Sequence, residues 1–137
     1  MLKRIIKAAS RKPIIFNFLR KIIEFNFVTI KKIIRKEIAL SNDSKKILDV
    51  PCGTGEFCLL FRNSSYVGID ISHEYIYHAK KNYRRTFIVG DASKSSFDNF
   101  CFDYILVLGL LHHLDISIVA SVLEEVKRIL KKDGRVL

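Results

Sequence analysis

Along the first 40 residues apolar side chains recur at helical spacing. Ile15, Phe18, Leu19, Ile22, Phe25, Ile30, Ile33 and Ile34 fall on one side. Asn17, Arg20, Lys21, Glu24, Lys31 and Arg35 fall on the other, with Phe27 and Val28 interrupting that polar stripe. Pro13 suits the start of such a helix, where a missing N–H costs nothing. The apolar run at 14–19 is broken by Asn17 and followed by Arg20 and Lys21, whereas a membrane span needs roughly 18–20 apolar residues. It also lacks the clean apolar stretch and small-residue cleavage site of a signal peptide. Ser41-Asn42-Asp43-Ser44 reads as a loop, which divides a basic amphipathic helical segment over 1–44 from a domain over 45–137.

From Lys46 the period changes to short β-branched runs alternating with helical stretches. Ile47-Leu48-Asp49-Val50 predicts a strand closed by Pro51-Cys52-Gly53-Thr54-Gly55. A short helix over 56–62 and a turn at 63–65 lead to a second strand, Tyr66-Val67-Gly68-Ile69, ending on Asp70. Ser72 can cap a helix running to about Tyr83. The third strand, 86–89, ends at Gly90-Asp91, and the fourth, 102–108, is the most apolar, as suits a strand buried on both faces. Asp115 can cap a helix whose Ile118, Val122, Val126, Ile129 and Leu130 form a buried stripe. Lys131-Lys132-Asp133-Gly134 offers the cations and glycine of a helix end, and a fifth strand begins at Arg135. This alternation predicts an α/β fold with a doubly wound, mostly parallel sheet. Such sheets bind ligands at the carboxyl ends of their strands.

Composition narrows the class. At 137 residues with 49% hydrophobic side chains, the chain can bury a real core and is neither disordered nor fibrous. Cys52, Cys58 and Cys101 form no C-x-x-C pair, which argues against a disulfide scaffold and a zinc site and points to a reducing, cytoplasmic compartment. The net charge of +10 suggests nucleic acid until it is mapped. Residues 1–40 hold eleven Lys or Arg against Glu24 and Glu37, which leaves only +1 for the remainder. The front segment therefore either packs on the following domain with its cations in water or meets an anionic membrane surface through residues 14–40. Nucleic-acid binding is disfavoured, because no groove-reading motif accompanies the charge.

Polar residues gather where the strands end: Asp49, Asp70, Asp91, then Gly109 with His112 and His113. Gly53-x-Gly55 opening a helix allows backbone to approach a ligand closely. A nicotinamide fingerprint would carry a third glycine where Cys58 stands, although Asp70, 17 residues after Gly53, resembles its ribose-binding acid. Charge separates the candidates. A carboxylate at Asp49 would repel a pyrophosphate by on the order of a few kcal/mol, whereas it welcomes an ammonium and a sulfonium. That favours S-adenosylmethionine over a nicotinamide dinucleotide.

The stretch from Ile47 to Phe57 (Ile-Leu-Asp-Val-Pro-Cys-Gly-Thr-Gly-Glu-Phe) resembles the first motif of class I S-adenosylmethionine-dependent methyltransferases. Val67-Gly68-Ile69-Asp70-Ile71-Ser72 resembles their second motif and Val89-Gly90-Asp91-Ala92 their third. Phe102-Asp103-Tyr104-Ile105-Leu106-Val107 through Leu111-His112-His113-Leu114 is similar to the fourth, and the stretch from Leu130 to Leu137 to the approach to strand five. The resemblance implies a Rossmann-like fold and S-adenosylmethionine as cofactor. It assigns Asp49 to orienting the methionine amino group, directly or through water, and Gly53 and Gly55 to backbone contact with the cofactor. Asp70 would accept from the ribose hydroxyls, Asp91 with the Ala92 backbone would meet the adenine, and Leu108 and Gly109 would lie beside the transferring methyl. Cys52 and Ile71, inside the first two motifs, join this cofactor-binding set.

Pro51 stands where the family usually has glycine, a change expected to be harmless if the backbone there has φ near −65° and the N–H that proline removes is unused. The family has seven strands and this chain ends in the fifth, so a fragment, a remnant or one half of an assembly completed by another chain is expected. The His-His-Leu form of the fourth motif resembles enzymes acting on small-molecule or lipid-linked acceptors. Displacement at a sulfonium needs chiefly alignment of nucleophile and methyl carbon, worth several kcal/mol. A base is required only for an acceptor that must lose a proton; His112 or His113 could serve, or the pair is simply part of a helix-entry turn. The expected function is methyl transfer to such an acceptor; the alternative is a catalytically silent cofactor-binding fragment or partner subunit.

Overall fold

The computed structural model describes residues 28–39 and 44–137. Its contacts divide the chain into two compact units, Met1–Asn42 and Asp43–Leu137. Helix α1, Val28–Ala39, belongs to the first. Ile34 is buried and Ile30 half-buried, but Ile33 is 54% exposed beside exposed Lys32, Arg35 and Lys36. Residues 30 and 34 stack one turn apart, and at about 100° per residue position 33 swings off the stripe they define. The other residues expected in the 14–40 helix lie outside those described. No described helix is long and apolar enough to cross a membrane.

The second unit comprises β1 (Lys46–Asp49), β2 (Ser65–Asp70), α2 (His73–Asn82), β3 (Thr86–Val89), β4 (Phe102–Leu106), α3 (Ile116–Ile129) and β5 (Leu130–Val136). Two short 3₁₀ turns, Glu56–Leu60 and Leu111–His113, follow β1 and β4. All strand pairs are parallel, in the order β3-β2-β1-β4-β5. This is the Rossmann-like doubly wound sheet that the alternation predicts. The chain returns from β3 at one margin to β4 beside β1, and the reversal opens a crevice at the carboxyl ends of the strands.

Period-two alternation gives the sheet two distinct faces. Leu48, Val50, Ile69, Phe102 and Ile105 pack against Val122, Val126 and Ile129 of α3. On the opposite face Tyr66 meets Phe61 and Phe87, and α2 lies against β2 and β3. Ser72 caps α2 as expected, accepting from the Tyr75 N–H at 3.2 Å.

The exit of α3 differs from the expected one. The helix ends at Ile129, and Leu130–Val136 is strand, so Lys131-Lys132-Asp133-Gly134 lies within β5 and Leu130 leaves the helical stripe. The Phe100 and Cys101 N–H groups donate to the carbonyls of Arg128 and Ile129 at 3.0 and 2.8 Å. Those bonds satisfy two terminal carbonyls that a glycine cap would otherwise serve. Phe102 pairs with Leu130 but Tyr104 with Arg135, so the intervening residues bulge, and the Lys131 ammonium sits 2.9 Å from Asp103 Oδ1. Strand β4 closes at Leu106 and not Leu108, although the Val107 N–H still donates to the Leu137 carbonyl at 2.8 Å.

One clasp has no sequence motif. Glu125 of α3 accepts from both the N–H and the hydroxyl of Ser95 and takes a two-pronged contact from Arg128 at 2.7 and 2.8 Å. Arg128 also reaches Asn99 Oδ1 at 2.7 Å, so the loop between β3 and β4 is tied to α3. The Arg128 hydrogen bonds, with those from Ser95, pull the Glu125 carboxyl down to about 2 from its ordinary 4.5. A depressed carboxyl contributes stability above pH 4.5 and loses it as pH falls towards 2. Glu125→Gln should therefore cost ~1–2 kcal/mol at pH 7, allowing for solvent screening. Urea midpoints should show the gap to wild type closing as the pH is lowered to about 2.

Candidate functional site

The loop after β1 is built on backbone bonds to its neighbour strand. Cys52 N–H donates to the Ile69 carbonyl at 2.8 Å, and Gly55 N–H to the Cys52 carbonyl at 2.9 Å. Gly53 N–H donates to Asp70 Oδ2 at 2.8 Å, while Ser72 N–H donates to Oδ1 of the same carboxylate at 2.9 Å. Asp70, 7% exposed, thus joins the glycine loop to the exit of β2. The Val50–Pro51 peptide is cis. Gly55 has φ +80°, and a Cβ there would lie 2.6 Å from the Phe87 ring. Any side chain at that turn would be strained and would press on that ring.

Beneath the loop lies Asp49, fully buried, accepting from the Tyr66 hydroxyl at 2.6 Å. Burial, reinforced by the Asp49 charge, raises the pKa of Tyr66, so the phenol stays protonated and acts as donor. Burial likewise raises Cys52 far above its ordinary value and lifts Cys58 to about 11. Both thiols are protonated at neutral pH and serve as packing, not as nucleophiles.

At the carboxyl ends of β1, β2 and β3 a cleft of about 410 Å³ of empty space opens to solvent. Its walls are apolar: Val50, Pro51, Ile69 and Ile71 on the strand side, Leu110, Leu114, Ile118 and Val122 on the other, with Ala92 and Gly90 between. Among the described residues, Asp70 and Asp91 are the acidic groups of the lining, and no Lys or Arg lines it. Asp91 Oδ1 accepts from the Ser93 N–H at 2.8 Å and the Ser93 hydroxyl at 2.7 Å. Those bonds lower its pKa, so it is a carboxylate at neutral pH. The arrangement suits a flat, largely apolar ligand that donates hydrogen bonds to two carboxylates.

Of the residues singled out in the sequence, Asp70, Ile71, Asp91 and Ala92 line this cleft. Gly53 and Gly55 form the adjoining loop, while Asp49 and Cys52 are buried below it. Leu108 and Gly109 follow β4 outside the lining, Gly109 with φ +71° and open space where a Cβ would stand. His112 and His113 are exposed in the second 3₁₀ turn, their ring centroids 3.8 Å apart, and do not line the cleft. Ile118, expected in the core stripe, is 42% exposed because it faces the cleft. Helical periodicity could not separate the two roles, since core and cleft both select apolar side chains. Leu110 and Leu114 were missed for the same reason, although their flanking of His112 and His113 was a usable signal.

Residues 47–134 match the methyltransferase-domain family. An uncharacterised protein of Methanocaldococcus jannaschii is 38% identical over 105 residues, 76% of this chain and 39% of its own length. Demethylmenaquinone methyltransferase of Thermotoga maritima is 30% identical over 128 residues, 89% of this chain and 55% of its own length. Among solved structures, a TehB-like S-adenosylmethionine-dependent methyltransferase of Corynebacterium glutamicum aligns with a TM-score of 0.64 and 28% identity. That alignment covers 72% of this chain and 55% of the other. The chain spans from about two-fifths to just over half the length of these proteins.

Proposed function

This chain belongs to the class I S-adenosylmethionine-dependent methyltransferase family, and on that premise we propose that it holds S-adenosylmethionine in the cleft and methylates a small-molecule or lipid-linked acceptor. The observation that carries the reading is Asp70, fixed by the Gly53 and Ser72 N–H groups at the edge of an apolar slot. The residues fit the cofactor. Ile71 and Leu110 flank space for the adenine, and Asp70 and Asp91 present acceptors to ribose hydroxyls and the adenine amino group. With no cation in the lining among the described residues, a pyrophosphate would find no counter-charge there, whereas an ammonium and a sulfonium suit the carboxylates.

The bound cofactor supplies an electrophilic methyl carbon. The chain's own residues orient it and exclude water, which can contribute several kcal/mol through alignment alone. Leu108 and Gly109 are the proposed neighbours of the methyl group, and the open space at Gly109 leaves room for an acceptor. His112 and His113 are the candidate bases where an acceptor must lose a proton. Retention of Asp70, Asp91 and both loop glycines favours a working site over a silent fragment. The Thermotoga relative is named a demethylmenaquinone methyltransferase, which makes a lipid-like quinone a sensible acceptor to test. Exposed Val28 and Ile33 beside Lys32, Arg35 and Lys36 suit contact with an anionic membrane surface.

Calorimetry tests the cofactor reading. S-adenosylmethionine and S-adenosylhomocysteine should bind in the micromolar range and NADH should not; a folded chain that binds neither adenosyl compound would refute it. Sedimentation with vesicles should show retention by anionic but not neutral lipid, reversed by salt.

A further inference from the structure

Asp49 and Tyr66 form a buried pair beneath the glycine loop. Asp49 is 0% exposed and Tyr66 3%. An ionised carboxylate removed from water is costly unless hydrogen bonds replace its hydration. The Tyr66 hydroxyl provides one such bond at 2.6 Å, the length of a charge-assisted O–H···O⁻ contact. The sheet register explains how it reaches. Asp49 pairs with Gly68 and Ile47 with Tyr66, so Tyr66 lies two residues before the position opposite Asp49, on the same face. Gly68 has no side chain to intervene; a Cβ there would stand 2.8 Å from Phe87 and 2.9 Å from Cys52. The ring of Tyr66 is held between Phe61, stacked at 5.7 Å, and Phe87, edge-on at 5.9 Å. A phenylalanine would fill the same slot, so packing alone does not require the hydroxyl.

We propose that Tyr66 is a positioning residue whose hydroxyl keeps the buried Asp49 carboxylate oriented and charged under the glycine loop, where it attracts the ammonium end of the cofactor. The inference rests on the cofactor reading above. The other titratable groups around it, Cys52 and Cys58, are thiols held protonated, and Asp70 is a carboxylate engaged by two N–H groups. The Tyr66 hydroxyl donates to Asp49 Oδ2 from the neighbouring strand.

The test uses two probes that share the nucleoside thioether. S-adenosylhomocysteine carries the ammonium, and 5′-methylthioadenosine lacks the amino-acid end. Calorimetry on the full chain should show Tyr66→Phe weakening S-adenosylhomocysteine about tenfold, ~1.4 kcal/mol, while 5′-methylthioadenosine changes less than about twofold. Asp49→Asn should weaken S-adenosylhomocysteine at least as much, and the double variant should lose little more than Asp49→Asn alone. Unchanged S-adenosylhomocysteine affinity in Tyr66→Phe would overturn the proposal. Equal weakening of both probes would also overturn it, since that is what a merely structural tyrosine would do. If Tyr66→Phe does not fold, the Asp49→Asn protein decides: equal losses for the two probes leave the pair no charge-specific role. Wild-type protein that binds neither probe would refute the cofactor reading itself, an outcome distinct from the others.

Discussion

Gly55→Ala is expected to destabilise the domain by about 2–5 kcal/mol, lowering its unfolding midpoint by roughly 10–20 °C. Two effects add. At φ +80° an L side chain costs about 1–2 kcal/mol. The new methyl would also stand 2.6 and 2.7 Å from the Phe87 ring and 3.1 Å from Ala79 Cβ, and overpacking of this kind costs about 1–3 kcal/mol. Phe87 cannot swing aside: it is 3% exposed, with Tyr66 and Tyr83 against it and Gly68 beneath. Gly109→Ala is the control, because its φ of +71° carries the strain while nothing lies within 4 Å of the added atom. Thermal unfolding followed by circular dichroism should show the smaller shift for Gly109→Ala. Equal shifts would mean that the Phe87 contact does not set the loop's position.

Asp70→Ala should combine a loss of stability with the largest loss of binding, on the order of 100-fold or more for S-adenosylhomocysteine. The carboxylate satisfies two backbone donors, Gly53 N–H and Ser72 N–H. Leaving a buried donor without a partner costs about 1–3 kcal/mol, and the Ser72 amide is partly exposed, so a total of ~2–4 kcal/mol is expected. Binding falls further, because the loop loses its tether and the cleft loses an acceptor at its edge. Asp70→Asn retains one carbonyl oxygen and can satisfy one of the two amides. It should recover part of the stability while remaining at least about tenfold weaker in binding. Calorimetry and urea midpoints on the same preparations separate the two effects. Binding by Asp70→Ala within about threefold of wild type would move the cofactor out of this cleft.

How much of this was legible in the chain depends on the range of the interactions involved. The β-branched runs at 47–50, 66–69 and 86–89 announce their strands because alternation and branching act within a few residues. Ser72 before a helix and the glycines at 53 and 55 are equally local signals. The end of α3 was not legible. Lys131-Lys132-Asp133-Gly134 carries every local mark of a helix cap, yet the Phe100 and Cys101 N–H groups reach the last helical carbonyls first, and the segment joins the sheet. Ile118 illustrates the same limit from the other side, since an apolar residue on a helical stripe reads alike whether it faces a core or a cleft.

The sequence by itself determined the alternation of strands and helices, the acidic residues at the strand ends and the preference for a cationic ligand over a dinucleotide. Each of these follows from backbone period, local turn chemistry or the sign of a charge. Only the tertiary structure decided that Asp70 ties Gly53 to Ser72, that Tyr66 donates to Asp49, and that Glu125 clasps Ser95. Those contacts join residues brought together by the register of parallel strands and the packing of α3, and their strength depends on burial, which no stretch of chain carries alone.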